Sequence, residues 1–142
     1  MIVLDTDVLS LIQQQSEPEY SRLRATLHGH SDRVHVTIVS FEEQVRGWMS
    51  RLARKVDAAG EVNAYSRLAT LLKHYCAERV LGYDLRAAQE CERLRKARLR
   101  VGTMDLRIAS IVLANSGLLI SRNLSDFQRV PGLRVEDWTA SS

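Results

Sequence analysis

Carboxylates and carboxamides fall at four places in this chain where a short apolar run gives way to polar residues. Asp5 directly follows Ile2-Val3-Leu4, and Glu42 and Glu43 come shortly after the run that ends at Val39. Asp105 stands two residues beyond Thr103, and Asn123 and Asp126 follow Leu118-Leu119-Ile120. Carboxylates crowded together repel one another and neutralise by pKa shift unless a cation compensates. A donor set made only of oxygens, with no Cys or His competing, suits a hard cation, Mg²⁺ with Mn²⁺ as a possible substitute. Mg²⁺ keeps several waters and binds through a few carboxylates plus substrate phosphates, so an open pocket of this kind points to phosphodiester hydrolysis.

Each residue also has a plainer reading. Ser40-x-x-Glu43 matches a capping box, in which the glutamate returns to a backbone N–H at the start of a helix. Asp105 near a helix N-terminus gains up to about 1 kcal/mol from the macrodipole. Asp126 in a polar loop can serve as a turn former that bonds nearby backbone. Asp5 is the hardest to explain this way, because a carboxylate abutting a buried strand is costly without a partner.

The elements that would position these residues alternate along the chain. Ile2-Val3-Leu4 reads as a strand buried on both faces. Val8, Leu9, Leu11 and Ile12 then switch to helical spacing, and Pro18 sits in the first turn of a second helix through Leu27, closed by Gly29. Val34, Val36 and Ile38 alternate as a second strand, with Val39 extending it. Ser40 opens a long helical pattern that breaks at Gly60, and Val62 to Tyr75 continue as a further helix. Val80-Leu81-Gly82-Tyr83 is a short strand candidate, Asp84 caps a helix running from Leu85 to Leu99, and Thr103 caps another through Leu113. Asn115 and Gly117 stop that helix, Leu118-Leu119-Ile120 is a strand, residues 121–126 are a polar loop, and Leu133-Arg134-Val135 is the last strand. Parallel neighbours need helical crossovers, so this alternation predicts one α/β domain over residues 1–142 with a mainly parallel sheet. In such sheets ligands gather beyond the carboxyl ends of the strands, where the acids fall.

Composition narrows the class. At 142 residues with 45% hydrophobic side chains, the chain fits a single domain with a real core. The net charge of +3 is mild, but it is unevenly spread: residues 1–45 hold seven acids against three arginines, leaving the excess of base to the remainder. Cys76 and Cys91 have no CxxC or His partner, which suggests neither a zinc site nor a disulfide framework. The absence of a basic leader and of a long apolar stretch predicts a cytoplasmic protein with no membrane association. Six basic residues between Arg86 and Arg100 against Glu90 and Glu92 would suit an RNA backbone, although a solvated helix face with i,i+4 ion pairs is the favoured reading. Trp48, Met49, Tyr65 and Tyr75 read as core or interface, and His28-x-His30 has too few companion ligands for a metal.

In their order along the chain these segments resemble the PIN-domain family, and most closely its toxin ribonucleases of VapC type. Ile2-Val3-Leu4-Asp5-Thr6-Asp7-Val8-Leu9 is similar to the family's opening strand with its first metal-binding aspartate, with Asp7 where Asn is usual. Val36 to Gly47 resembles the second block, whose acid stands four residues before the glycine and so selects Glu43 over Glu42. Asp105-Leu106-Arg107-Ile108-Ala109 and Ile120 to Phe127 are similar to the third and fourth blocks, and Pro131-Gly132-Leu133 and Trp138 match the usual ending. One departure is Asn123, where many members carry an aspartate. The fourth acid is then Asp126, or it is absent and Asn123 is a neutral ligand.

The resemblance implies a PIN-like three-layer α/β/α fold and a Mg²⁺-dependent endoribonuclease in which Asp5, Glu43 and Asp105 hold the metal. By position, Asp105 is the candidate to accept a proton from the attacking water, and Ser121 or Thr6 to hydrogen-bond to a metal-holding side chain. It further implies a cognate antitoxin protein as partner and a homodimer. A catalytically weak nucleic-acid-binding or partner-binding module on the same fold is the alternative, made plausible by Asn123. Aspartate-nucleophile phosphatases also follow a first strand with Asp-x-Asp, but they need a lysine at the site, and Lys55, Lys73 and Lys96 all lie in helical patterns.

Overall fold

The computed structural model describes residues 1–141. Five short strands, β1 (Ile2–Leu4), β2 (Val34–Thr37), β3 (Val80–Leu81), β4 (Leu118–Ile120) and β5 (Arg134–Glu136), form one sheet in the order β3-β2-β1-β4-β5. Every neighbouring pair is parallel, with Val3 opposite both His35 and Leu119. The crossovers are helical: α1 (Thr6–Gln14) and α2 (Glu19–Leu27) lead to β2, α3 (Ile38–Ala53) and α4 (Ala58–Ala77) to β3, and α5 (Leu85–Lys96) and α6 (Thr103–Ala114) to β4.

Three layers follow from the alternation of side chains along β1. Ile2 and Leu4 pack with Val8, Leu11 and Leu23 from α1 and α2. Val3 points to the opposite face and packs with Cys91 and Leu94 of α5 and Ile108, Ile111 and Val112 of α6. A third cluster, Leu9, Val36, Leu71 and Tyr75 with Phe41 and Trp48 against it, ties the α3–α4 hairpin to α1. The α/β fold expected from the alternation is therefore the one observed, and its mainly parallel sheet is parallel throughout.

The helix starts differ from the sequence expectation in instructive ways. β2 ends at Thr37, so Ile38 and Val39 begin α3 instead of extending the strand. The α3 cap is Thr37, whose hydroxyl accepts from the Ser40 backbone N–H at 3.1 Å, so Ser40 lies inside the first turn and no Ser40–Glu43 capping box forms. The break between α3 and α4 falls at residues 54–57, and Gly60 sits in the first turn of α4, capped by the Asp57 carboxylate. A Cβ at Gly60 would lie 3.1 Å from that carboxylate oxygen and 3.2 Å from Val56 Cβ, which accounts for the glycine without a break.

Gly102, not Thr103, occupies the cap position of α6, with no side-chain bond, and Thr103 is the first helical residue. Ser116, at φ 52°, takes the left-handed turn that ends α6. α5 stops at Lys96, short of Leu99, where Arg98 turns left-handed at φ 53°. Instead of closing α2, Gly29 lies in a 3-10 turn, His28–Arg33, that continues it. Residues 124–126 of the expected polar loop form, with Phe127, a one-turn helix, α7 (Leu124–Phe127), and β5 lies one residue later than expected.

Candidate metal and active site

The strand order fixes where a site can form. The chain builds outward from β1 through β2 to β3, then returns to the other side of β1 for β4 and β5, so the direction of winding reverses between β1 and β4. Adjacent crossovers then leave on opposite faces, and a crevice opens at the carboxyl ends of these two strands. Asp5 and Ser121 are the residues that follow β1 and β4, and both are buried.

Asp5 serves as the cap of α1: one carboxylate oxygen, Oδ1, accepts from the Val8 N–H at 2.9 Å. The other, Oδ2, accepts from the Ser121 hydroxyl at 2.5 Å. Ser121 Oγ in turn accepts from the Asn123 backbone N–H at 2.9 Å, which shapes the turn into α7. Burial, opposed by these hydrogen bonds and reinforced by the charges of Asp7 and Asp105, pushes the Asp5 carboxyl up to about 6.

Glu43 lies on the second turn of α3, and the bond that holds it comes from α1. Thr6 Oγ1 donates to Glu43 Oε1 at 2.6 Å and lies 2.9 Å from the buried Ser40 hydroxyl. Glu42 instead turns outward to pair with Arg46 at 2.7 Å. Asp105 is half-buried in the first turn of α6, and its carboxyl is raised by burial and then by the charges of Glu43 and Asp126. Asn123 bridges the last two positions, its amide nitrogen 3.0 Å from Asp126 Oδ2 and 3.5 Å from Asp105 Oδ2. Asp126 also pairs with Arg129 at 3.2 Å, which places it at the edge of the group with a cation of its own.

Asp5, Glu43 and Asp105 thus gather at one edge of the sheet, near enough for the charge of one to disfavour ionisation of another. Among the described residues none of the three has a Lys, Arg or His at ion-pair distance. The side chains do not form a closed cage: no group of three or more His, Cys, Asp or Glu among the described residues is arranged to hold an ion. An open, all-oxygen set lacking its counter-charge suits Mg²⁺, which needs only one or two carboxylates and completes its octahedron with water and substrate.

Several contacts here carry no sequence signal, because they join residues more than 30 positions apart. Gln44, next to Glu43, accepts from the Tyr75 hydroxyl at 2.7 Å and donates to Gln13 at 2.8 Å and Ser10 at 3.0 Å. Arg122 donates to both oxygens of Asp7 at 2.7 and 2.8 Å, joining the loop after β4 to the first turn of α1. Two of the four basic residues of α5, Arg93 and Lys96, pair with Glu90 at 2.7 Å and Glu92 at 3.5 Å on the exposed face of the helix. Of the aromatic and methionine positions on α3 and α4, Tyr75 is buried and Trp48 half-buried, while Met49 and Tyr65 are exposed.

No protein-family model matches the chain. It is 29% identical over 140 residues to a tRNA(fMet)-specific endonuclease VapC of Salmonella typhimurium, covering 96% of both chains. A protein of the same description from Shigella flexneri is 36% identical over 64 residues, 42% of this chain and 48% of that one. Among solved structures, a DNA-bound VapBC of Salmonella typhimurium superimposes with a TM-score of 0.73 at 25% identity, over 96% of this chain and 97% of the other. VapBC-1 of nontypeable Haemophilus influenzae gives 0.71 at 20% identity, over 99% and 100%. FitAcB of Neisseria gonorrhoeae gives 0.70 at 18%, over 97% and 98%.

Proposed function

We propose, for a chain that carries the PIN fold of the VapC-type proteins, that it is a Mg²⁺-dependent endoribonuclease and the toxin of a toxin-antitoxin pair. The observation that carries the chemistry is the convergence of Asp5, Glu43 and Asp105 at the reversal point of the sheet without a compensating cation. The relatives named as tRNA-specific endonucleases support RNA, and a tRNA in particular, as substrate.

Asp5, Glu43 and Asp105 would hold the ion, with Asn123 and Asp126 at its margin. When bound, Mg²⁺ supplies Lewis-acid stabilisation of charge building on the phosphoryl oxygens and a lowered pKa for water. Ser121 and Thr6 orient the Asp5 and Glu43 carboxylates by donating to them, which leaves the remaining lone pairs free for the ion. Asp105, its carboxyl raised first by burial and then by the charges of Glu43 and Asp126, would be the group to accept the proton of the attacking water.

The structures of VapBC pairs support a cognate antitoxin as partner. Val62, Tyr65 and Leu72, 68%, 62% and 60% exposed on α4, are apolar surface that such a partner or a second copy in a homodimer would cover. No helix among the described residues is long and apolar enough to cross a membrane.

The test is cleavage of a mixed tRNA pool by purified protein with Mg²⁺ or Mn²⁺ against EDTA, for wild type and Asp5→Asn. Cleavage that needs the metal and vanishes in the variant supports the reading. Binding of RNA by both proteins without any cleavage favours a binding module on the same fold.

A further inference from the structure

A cleft of about 430 Å³ lies between α1, α3 and α4 and begins at the candidate active site, with Thr6 and Glu43 forming one end of its lining. Its volume is in the range of about 300–1,000 Å³ usual for small-ligand sites. The remaining walls differ in character from the acidic crevice. Ser10 and Gln13 of α1 face Gln44 of α3 on one side, and Trp48, Arg51 and Arg67 stand on the other. The chemistry therefore changes along the cleft from carboxylates to amides and then to an aromatic ring with guanidiniums.

We propose that this cleft is a nucleotide subsite of the RNA substrate, in which Gln13 and Ser10, held in place by Gln44, read the edge of an unpaired base that stacks on Trp48. This rests on the ribonuclease reading and extends it to how the substrate is chosen. Single-stranded RNA is recognised by splaying out bases, stacking them on aromatic or guanidinium planes and hydrogen-bonding their edges. Trp48 is half-buried, and the Arg51 guanidinium lies 4.7 Å from its ring centre, so the two already form a flat, cation-backed platform. Arg51 and Arg67 supply positive charge for the phosphates on either side of such a base. Nothing in this lining is acidic apart from Glu43, whose place at the inner end sets the cleft next to the scissile bond.

The amides are held in one orientation, which reading a base requires. The Tyr75 hydroxyl donates to Gln44 Oε1 at 2.7 Å, which fixes the Gln44 nitrogen toward α1, where it donates to Gln13 Oε1 at 2.8 Å and Ser10 Oγ at 3.0 Å. Gln13's own nitrogen is left with only a 3.4 Å contact to Gln44 Oε1. That leaves donor capacity on Gln13 and acceptor capacity on Ser10 for a base edge. Tyr75 is thus a positioning residue, buried between α4 and α3 and aimed at Gln44.

Two measurements test the subsite apart from catalysis. Short single-stranded RNA homopolymers of A, C, G and U are titrated against full-length Trp138→Phe protein without divalent metal, with Trp48 fluorescence as the readout. The expected result is quenching of Trp48 and an affinity for one homopolymer about tenfold or more above the weakest, a preference that falls to about twofold in Gln13→Ala. Tyr75→Phe, which keeps the ring but frees Gln44, should weaken the preference and leave the quenching in place. Equal affinities for all four homopolymers, no quenching of Trp48, or the same preference in Gln13→Ala would each overturn the subsite. Competition of the quenching only by a peptide partner, with no RNA effect, would do the same and assign the cleft to a protein. The same samples are assayed for cleavage of a randomised RNA with Mg²⁺. Base-selective binding without cleavage would leave the subsite standing and remove the ribonuclease reading, whereas cleavage without base-selective binding would remove the subsite alone.

Discussion

Ser121 donates its hydroxyl to Asp5 Oδ2 at 2.5 Å, joining residues 116 positions apart across the carboxyl ends of β4 and β1. The bond sits where the winding of the sheet reverses, so the geometry of the fold and the orientation of the first candidate ligand are set by the same contact. Because both residues are buried, its loss cannot be made good by water at the surface. Ser121→Ala should destabilise the protein by about 1–3 kcal/mol and weaken divalent metal binding by about 10–100-fold. Urea unfolding and Mn²⁺ titration of the same preparation check both parts.

Asp5 itself is expected to limit stability in the absence of metal. Its folded-state carboxyl titrates at about 6 against 3.8 for the ordinary group, because burial disfavours the charge. The folded protein therefore holds this proton more tightly than the unfolded chain, and Asp5 favours folding at low pH. That contribution is lost as pH rises from about 3.8 to about 6, and above this the buried charge is a net cost. Asp5→Asn removes the charge with little change of shape. In EDTA at pH 7.5 the variant should be more stable than wild type by no more than about 3 kcal/mol, and the gap should close below pH 4. Chemical unfolding of both proteins at a series of pH values measures this directly.

Glu43 is held from another helix, and the bond can be removed without touching the acid. Thr6→Val deletes the hydroxyl that donates to Glu43 at 2.6 Å while keeping the volume. The expected outcome is a rise of about 10–100-fold in the Mg²⁺ concentration needed for half-maximal cleavage, restored by Thr6→Ser. A uniform loss of activity at saturating Mg²⁺ would assign Thr6 to a different task.

Much of this arrangement was legible in the sequence, and the reasons it was not complete are local. The buried strands β1 and β4 are continuous apolar runs, so both they and the polar residues that end them stand out. The parallel order follows from helices intervening between strands. The start of α3 departs from the residue pattern because two polar residues, Thr37 and Ser40, compete for the cap. Thr37 wins over Ser40 because the extended backbone at φ −113°, ψ 154° places its hydroxyl over the first turn, which no pattern of residue types reveals. The capping-box reading of Glu43 falls with it, since a residue in the second turn cannot return to the cap. The cleft beside Glu43 left no trace in the sequence, because Gln13, Gln44 and Tyr75 come from three helices and each is unremarkable in its own segment.

Asn123 offers a test of the departure from the acidic pattern. Its amide nitrogen stands 3.0 Å from Asp126 and 3.5 Å from Asp105, so it donates where a carboxylate would repel. Asn123→Asp adds a charge beside these two. The metal-free protein should lose about 1–2 kcal/mol at pH 7.5 and regain it on addition of Mg²⁺, with tighter metal binding than wild type. Thermal unfolding with EDTA and with Mg²⁺ reads both effects.

The measurement that bears most directly on the proposed metal centre is Mn²⁺ binding followed by electron paramagnetic resonance, with RNA cleavage assayed in the same samples. Wild type is compared with Asp5→Asn, Glu43→Gln and Asp105→Asn, whose folding is checked by circular dichroism. Saturable Mn²⁺ binding in wild type, weakened in each folded variant in step with its loss of cleavage, is the expected result. Cleavage that persists in EDTA, or Mn²⁺ binding unchanged by all three substitutions, would contradict a metal centre built from these three acids.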